Sequence, residues 1–217
     1  MRGRPEYGHQ CKYMNLKSIL IFIAVTLGVL GGVGALLFQF GNNVDKPVAE
    51  IAGEKKHVQG TGAVTLVEFS DFQCPACMSV QEPLKQLLTK YEGKIEFVYR
   101  YFPLTNIHKN AQMSAQAAEA AGVQDKFFEM HDKLFATQKA WEGIVDPRET
   151  FKGYAKELGL DEAQFATDME SQSTKDAIAV DVLAATRYQI SGTPTFYVNG
   201  VKTEFPQLEA KLAELIK

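Results

Sequence analysis

Two cysteines three positions apart, Cys74 and Cys77, are the residues whose types and spacing point most directly to chemistry. They enclose Pro75 and Ala76, and proline is tolerated in the first turn of a helix because the N–H that it lacks would have no partner there. We therefore expect the pair at a helix start, where free backbone N–H groups and the positive end of the helix dipole favour a thiolate. The thiolate is the attacking species in disulfide exchange, which makes Cys74 the predicted nucleophile and Cys77 the predicted resolving thiol.

Two other uses of the pair are a zinc site and a structural disulfide. Zinc needs about four ligands, and the sequence has no second pair of this kind and no histidines at ligand spacing. A disulfide that closes so short a loop stabilises a fold by only ~2 kcal/mol on the loop-entropy model, a poor use of a domain's sole pair. Both comparisons favour a redox pair, with no metal and no bound cofactor.

The residues around the pair predict a β-α-β unit. Residues 64–69 form a β-branched, apolar run with the length of a buried strand, and apolar residues recur at helical spacing after Pro75. Residues 95–99 alternate as a second strand, and residues 57–59 are a candidate edge strand. A unit of this kind is parallel and right-handed by default.

The rest of the chain predicts a helical block followed by a hairpin and a closing helix. Helical patterns fill about residues 105–190, with predicted helix starts at Asp146, Asp161 and Ser173. Residues 195–203 then hold two short strand runs around Asn199-Gly200, a strong local pattern for a hairpin, and Pro206 begins the last amphipathic helix. The predicted order is β-α-β, helical insertion, β-β-α.

Glu68 is a candidate because of the face on which it lies. It alternates with Val64 and Leu66, and in a sheet covered by helices on both sides that face is buried. A desolvated carboxyl has a raised pKa and can exchange a proton with Cys77. The alternative is a glutamate at a strand end that reaches solvent, as most glutamates do.

A long apolar segment precedes this domain. Residues 19–38 carry no charge, and 20 residues is the length that a helix at 1.5 Å per residue needs to cross a ~30 Å hydrocarbon core. Residues 1–18 hold four basic side chains against one acid, which predicts a cytoplasmic N-terminus, a signal anchor and an extracytoplasmic domain. A cleaved signal peptide, which would leave a secreted or periplasmic protein, is the alternative. Residues 39–60 are predicted to be a polar tether, and residues 61–217 the domain.

Bulk composition agrees with one ordinary globular domain. The 217 residues are 46% hydrophobic and 23% charged, and a net charge of −3 gives no basic field for nucleic acid. The third cysteine, Cys11, lies on the predicted cytoplasmic side, so only Cys74 and Cys77 would face an oxidising compartment.

Two stretches of the sequence resemble a known family. Residues 67–77, Val-Glu-Phe-Ser-Asp-Phe-Gln-Cys-Pro-Ala-Cys, are similar to the active-site strand and helix start of the DsbA-like branch of thioredoxin-fold oxidoreductases. Residues 191–196, Ser-Gly-Thr-Pro-Thr-Phe, resemble the family's cis-proline loop. The resemblance covers about residues 55–217, and it implies an α/β thioredoxin fold with an inserted α-helical lobe.

The resemblance also implies roles for single residues. Cys74 matches the exposed nucleophile, Cys77 the resolving thiol, and Glu68 the buried acid that relays a proton. Pro194 would follow a cis bond, and Thr193 would offer backbone groups to an extended substrate strand. A trans proline in an ordinary turn is the alternative on the residues alone.

The implied activity is two-electron thiol–disulfide exchange with other proteins. The favoured direction is the oxidation of reduced or unfolded exported proteins, with a membrane redox partner that reoxidises the cysteines. The best-known oxidant of the family has histidine where this chain has Ala76, which leaves an extracytoplasmic reductase or isomerase open. A membrane-tethered binding or chaperone module is the alternative from a different class.

Other conspicuous side chains are predicted to be structural. The aromatic residues of the helical block should form its core, and His108 and His131 are expected at its surface. The aromatic residues in question are Phe127, Phe128, Phe135 and Trp141.

Overall fold

The computed structural model describes residues 20–21, 23–29 and 47–216. The chain divides into two compact units, Met1–Val44 and Asp45–Lys217, and the described residues of the first unit are helical. Among the described residues, no helix combines the length and the apolar character that crossing a membrane requires. Most of the predicted membrane segment and all of residues 1–18 lie outside the described residues, so membrane anchoring stays a prediction.

The second unit contains one mixed five-stranded sheet in the order β1-β3-β2-β4-β5. β2 and β3 run parallel, whereas the other three neighbouring pairs are antiparallel. The two central strands are buried on both faces, which explains their nearly continuous apolar sequences. The strands are β1 His57–Gln59, β2 Val64–Ser70, β3 Ile95–Tyr101, β4 Thr195–Val198 and β5 Val201–Thr203.

Nine α-helices of the second unit are described, six of them inserted between β3 and β4. A 3₁₀ turn at Phe205–Gln207 leads into the last of the nine, close to the start predicted at Pro206. The helices are α1 Val48–Ala52, α2 Pro75–Lys90, α3 Ala111–Gly122, α4 Phe127–Ala136, α5 Gln138–Trp141, α6 Arg148–Glu157, α7 Glu162–Glu170, α8 Gln172–Arg187 and α9 Leu208–Leu215.

Each face of the sheet is covered. On one face, side chains such as Leu66 and Phe97 pack with α2, α9 and the lobe, which we define as the inserted helices α3 to α8. On the other face, Val67 and Val98 pack with Ile51 of α1 and with the end of α8. The predicted β-α-β, helical insertion and β-β-α order is confirmed.

The hairpin between β4 and β5 has the geometry that its sequence predicts. Asn199 and Gly200 both adopt positive φ, 48° and 83°, which a two-residue turn of type I′ requires. The Asn199 side chain also accepts a hydrogen bond from the backbone N–H of Thr65 at 2.8 Å. The turn therefore fixes the register of β4 beside β2.

The predicted boundary between tether and domain, at residue 60, lies too far along the chain. Residues 47–59, which that prediction included, belong to the packed second unit. Ile51 of α1 is fully buried, and β1 pairs with β3, the latter as the edge-strand prediction expected. The apolar side chains within this glycine- and proline-containing stretch explain the difference, because they find a site on the sheet.

Three predictions of detail in the lobe are wrong. Ser171, not Ser173, caps α8, since its hydroxyl accepts from the backbone N–H of Thr174 at 3.1 Å. His131 is only 4% exposed and lies in a cluster of aromatic rings, where burial lowers its pKa. His108 is largely buried and pairs with Asp71 at 2.6 Å. The expectation that the four aromatic residues form lobe core is confirmed for Trp141, Phe127 and Phe135, which are buried, whereas Phe128 is partly buried and packs against that core.

Candidate active site

Cys74 and Cys77 lie at the start of α2, which follows β2 after a short turn. Cys74 is the N-cap residue with an extended backbone (φ −72°, ψ 123°), and Pro75 is the first helical residue, as predicted. Both cysteines are free thiols, so the structure describes the dithiol form. The position next to the unpaired N–H groups of a helix start is the one that favours a thiolate.

The environment of Cys74 favours its ionised form. The pKa of Cys74 is lowered from 9.0 to about 5, chiefly by the hydrogen bond from the Cys77 thiol. Burial opposes this effect, and Thr193 and the backbone N–H groups of Cys77 and Ala76 add to it. The residue is 6% exposed, so the nucleophile is more buried than the predicted exposed thiol. Cys74 is thus a thiolate at neutral pH.

Cys77 has the opposite environment. It is fully buried, and burial, the Cys74 sulfur and the charge of Glu68 raise its pKa far above the ordinary value for a thiol. Only one sulfur of the pair therefore ionises at a time. The arrangement matches a nucleophile beside a protonated resolving thiol.

Glu68 lies on β2 below the cysteines and is fully buried, which confirms the reading from strand alternation over the solvent-exposed alternative. One carboxyl oxygen accepts hydrogen bonds from Ser70 at 2.7 Å and from Gln81 at 3.2 Å. Its other oxygen has no hydrogen-bond partner among the described residues. Burial raises the pKa of Glu68 to about 7 against the opposing effect of the two hydrogen bonds. The group can therefore gain or lose a proton near neutral pH.

The loop before β4 faces the cysteines. The Thr193–Pro194 peptide bond is cis, and the Cys74 thiol lies 3.5 Å from the Thr193 carbonyl oxygen. Ala76, on the exposed side of the pair, contributes its backbone N–H and no polar side chain. The structure thus brings together all the predicted site residues, while their roles towards a substrate stay predictions.

Polar side chains around the turn at residues 71–74 were not found by the sequence analysis. Asp71 is buried and accepts from the backbone N–H of Gln73 at 2.8 Å and from Leu104 at 3.0 Å. Gln73 in turn accepts from the N–H of Asn110 at 2.6 Å. Leu104 and Asn110 lie more than 30 residues away from these side chains in the sequence, and no local pattern marks the two contacts.

Within the part of the chain that the structure describes, no group of three or more His, Cys, Asp and Glu side chains is placed to hold a metal ion.

The chain is similar to proteins of known family. A thioredoxin family model matches residues 54–217. A "thioredoxin-like oxidoreductase" from Silicibacter pomeroyi has 27% identity and a TM-score of 0.64, covering 77% of this chain and 96% of the other. The "thiol-disulfide exchange protein alpha-DsbA2" from Wolbachia pipientis has 22% identity and a TM-score of 0.65, covering 77% and 90%. The latter likeness concerns the fold.

A different kind of relative has a higher sequence identity to this chain. The Na(+)/H(+) antiporter NhaA 1 of Salinispora arenicola is 42% identical over 149 residues, which are 68% of this chain. The same stretch is 22% of the antiporter, so the chain spans about a quarter of the length of such relatives. The similarity therefore concerns one part of a longer protein.

Proposed function

This chain belongs to the thioredoxin family, and we propose that it is a thiol–disulfide oxidoreductase that oxidises exported proteins outside the cytoplasm. The oxidised pair of Cys74 and Cys77 would pass its disulfide to reduced or unfolded polypeptides. A membrane redox partner would then reoxidise the pair. An extracytoplasmic reductase or isomerase is the alternative.

The position of Cys74 at the start of α2 is the observation that supports the proposed direction, because the Cys77 thiol and the backbone N–H groups there lower the pKa of Cys74. A thiolate that is stable at neutral pH stabilises the dithiol form, and a stable dithiol form makes the disulfide a stronger oxidant. Backbone N–H groups and the Cys77 thiol therefore supply much of the thiolate stabilisation that a histidine in place of Ala76 would provide.

The first step of the oxidation breaks the enzyme's disulfide. A substrate thiolate attacks the sulfur of Cys74, and the electron pair of the broken bond stays on the sulfur of Cys77. A buried thiolate there is unfavourable, as the raised pKa of Cys77 indicates. Neutral Glu68, whose pKa is about 7, is the buried acid that can supply the proton.

The second step releases the product. Another substrate thiolate attacks the substrate sulfur of the mixed disulfide, and Cys74 departs as the thiolate that its environment stabilises. A leaving thiol of low pKa departs faster. The substrate loses two electrons, and the cysteine pair gains them.

The surroundings of the pair suit an unfolded polypeptide. Thr193 would hydrogen-bond an extended strand, and Pro194 would keep that loop against the cysteines. The loop after α5 also presents Ile144 and Val145, which are 37% and 89% exposed. This loop is joined to the residue before Cys74, because the Gln73 amide donates to the Glu142 carbonyl at 3.0 Å. Exposed apolar side chains at this place would attract chains that have not yet buried their own.

The location outside the cytoplasm is supported by the apolar segment at residues 19–38 and by the basic residues before it. The antiporter relatives fit an association with a membrane, since the similar stretch is there part of a longer protein that is named as an antiporter. A membrane-impermeant maleimide tests the orientation. In intact, reduced cells it should label Cys74 and leave Cys11 unlabelled. Labelling of Cys11 alone would reverse the topology.

The activity is tested with the oxidised full-length chain and a reduced, unfolded ribonuclease. One disulfide per chain should be transferred, Cys11→Ser should behave like the wild type, and Cys74→Ala should transfer none. The direction is then measured as the equilibrium of the pair with a glutathione buffer. A potential above about −180 mV supports an oxidase, whereas one below about −250 mV would make the chain a reductase.

A further inference from the structure

The lobe contributes a buried amide to the turn that carries Cys74. Gln138, the first residue of α5, is fully buried. Its side-chain N–H group donates to the carbonyl of Phe72 at 2.7 Å and to the carbonyl of Cys74 at 3.0 Å. Both hydrogens of one amide are thus used on two carbonyls of the same turn, more than 60 residues away in sequence.

This contact is directional and not a matter of filling space. An apolar side chain of similar size would fill the same volume, and the Gln138 carbonyl oxygen itself has no partner among the described residues. A buried polar atom without a hydrogen-bond partner costs free energy. The two hydrogen bonds that the amide donates must therefore stabilise the fold by more than this cost.

The two carbonyls matter because they flank the nucleophile in the backbone. The Cys74 carbonyl also accepts the first hydrogen bond of α2, from the N–H of Met78 at 3.1 Å. Holding these two carbonyls fixes the peptide plane between Phe72 and Gln73 and the plane between Cys74 and Pro75, and with them the backbone of the N-cap residue. The Cys74 sulfur is then directed towards the N–H groups of Ala76 and Cys77 that favour the thiolate.

We propose that Gln138 is a positioning residue that fixes Cys74 at the start of α2 and thereby sets the reactivity of Cys74 as a nucleophile. The inserted lobe is then part of the redox centre, and not only a cover for the sheet. This inference rests on the proposed function in one respect, that Cys74 is the attacking thiol.

The test replaces the amide by a side chain of similar volume, Gln138→Met. Gln116→Met is the matched control, because Gln116 is also a buried lobe glutamine whose amide donates to a carbonyl, that of Met169 at 2.7 Å. The rate at which iodoacetamide alkylates Cys74 is followed from pH 3.5 to 8 by mass spectrometry that locates the label. The equilibrium of the cysteine pair with glutathione at pH 7 is measured on the same proteins.

We expect Gln138→Met to raise the midpoint of the Cys74 alkylation profile by about one pH unit. Alkylation on the acid side of the profile then slows about tenfold, and the glutathione equilibrium moves about tenfold towards the disulfide. Gln116→Met should leave both quantities unchanged. If Gln138→Met does not fold, Gln138→Leu also removes the two donors without introducing a titratable group, and the same shifts are expected.

Two results would overturn the inference. One is a folded Gln138 variant with an unchanged alkylation profile and potential, and the other is an equal shift in Gln116→Met, which would indicate general loosening. A wild-type chain without a thiol that reacts in acid would instead count against the proposed function. The alkylation assay needs no protein substrate, so the two failures are distinguishable.

Discussion

Replacement of Glu68 by glutamine should stabilise the folded dithiol form, and the gain should increase with pH. Burial raises the pKa of Glu68 from 4.5 to about 7, so above neutral pH the folded chain must hold a charge in its core. A rise of this size corresponds to about 3 kcal/mol between the two protonation states. Glutamine has the same shape and cannot ionise.

The direction of the pH dependence follows from the raised pKa. Below pH 4.5 the carboxyl is neutral in both the folded and the unfolded chain. The stability that the folded state gains by holding the neutral form is then fully present. As the pH rises from 4.5 through about 7 the unfolded chain releases this proton first, and the free energy of unfolding falls. The difference between Glu68→Gln and wild type should therefore be small at pH 4.5 and approach about 3 kcal/mol by pH 8.

Urea denaturation between pH 4.5 and 8 measures this difference. Trp141 is the only tryptophan of the chain and is fully buried, so its fluorescence reports unfolding. Groups common to both proteins cancel in the comparison. Glu92→Gln, at an exposed position after α2, serves as the control and should show no such trend. A stability difference that stays constant with pH, or a Glu68→Gln variant weaker than wild type at pH 8, would refute the assignment of Glu68 as a core acid.

Three further changes have definite expected outcomes. Cys77→Ala should accumulate mixed disulfides between Cys74 and substrate proteins, visible as adducts on non-reducing gels, and their absence would remove Cys77 from the resolving role. Glu119→Ala should lower the free energy of unfolding by about 3–5 kcal/mol in urea, because the carboxylate pairs in the core with His57 at 2.7 Å; a loss below 1 kcal/mol would contradict this. Val145→Lys should raise KM for unfolded protein substrates several-fold and leave exchange with glutathione unchanged, and an equal effect on both would rule out a docking role.

Much of the fold follows from patterns that act within a few residues. The run at residues 64–69 identified β2, Pro75 marked the start of α2, and Asn199-Gly200 identified the β4–β5 hairpin. Each depends on backbone chemistry that is local, such as a missing N–H or a permitted positive φ. Strand alternation left Glu68 open between the core and solvent, and the resemblance to the family favoured the core, where the residue lies.

Contacts between distant segments were not predictable in the same way. The histidines of the lobe were expected at the surface, yet His131 is packed among aromatic rings at the boundary between lobe and sheet. Gln138 lies in a short helix whose sequence is ordinary, and its role depends on carbonyls that only the folded lobe brings near. Residues 47–59 were predicted to be part of a tether because the stretch is polar. Ile51 is nevertheless buried, because the folded sheet provides the site against which it packs. In each case the partner is supplied by the tertiary structure.

The shortness of the two outer strands has a consequence for the proposed action on unfolded chains. β1 and β5 have three residues each, and β5 places the exposed Lys202 at its centre. A long, flat edge would present a row of unpaired N–H and carbonyl groups on which an unfolded polypeptide could add a strand and begin to aggregate. Edges this short offer few such groups, so under the proposed function an unfolded substrate would bind mainly at the cysteines and would dissociate once its thiols have reacted.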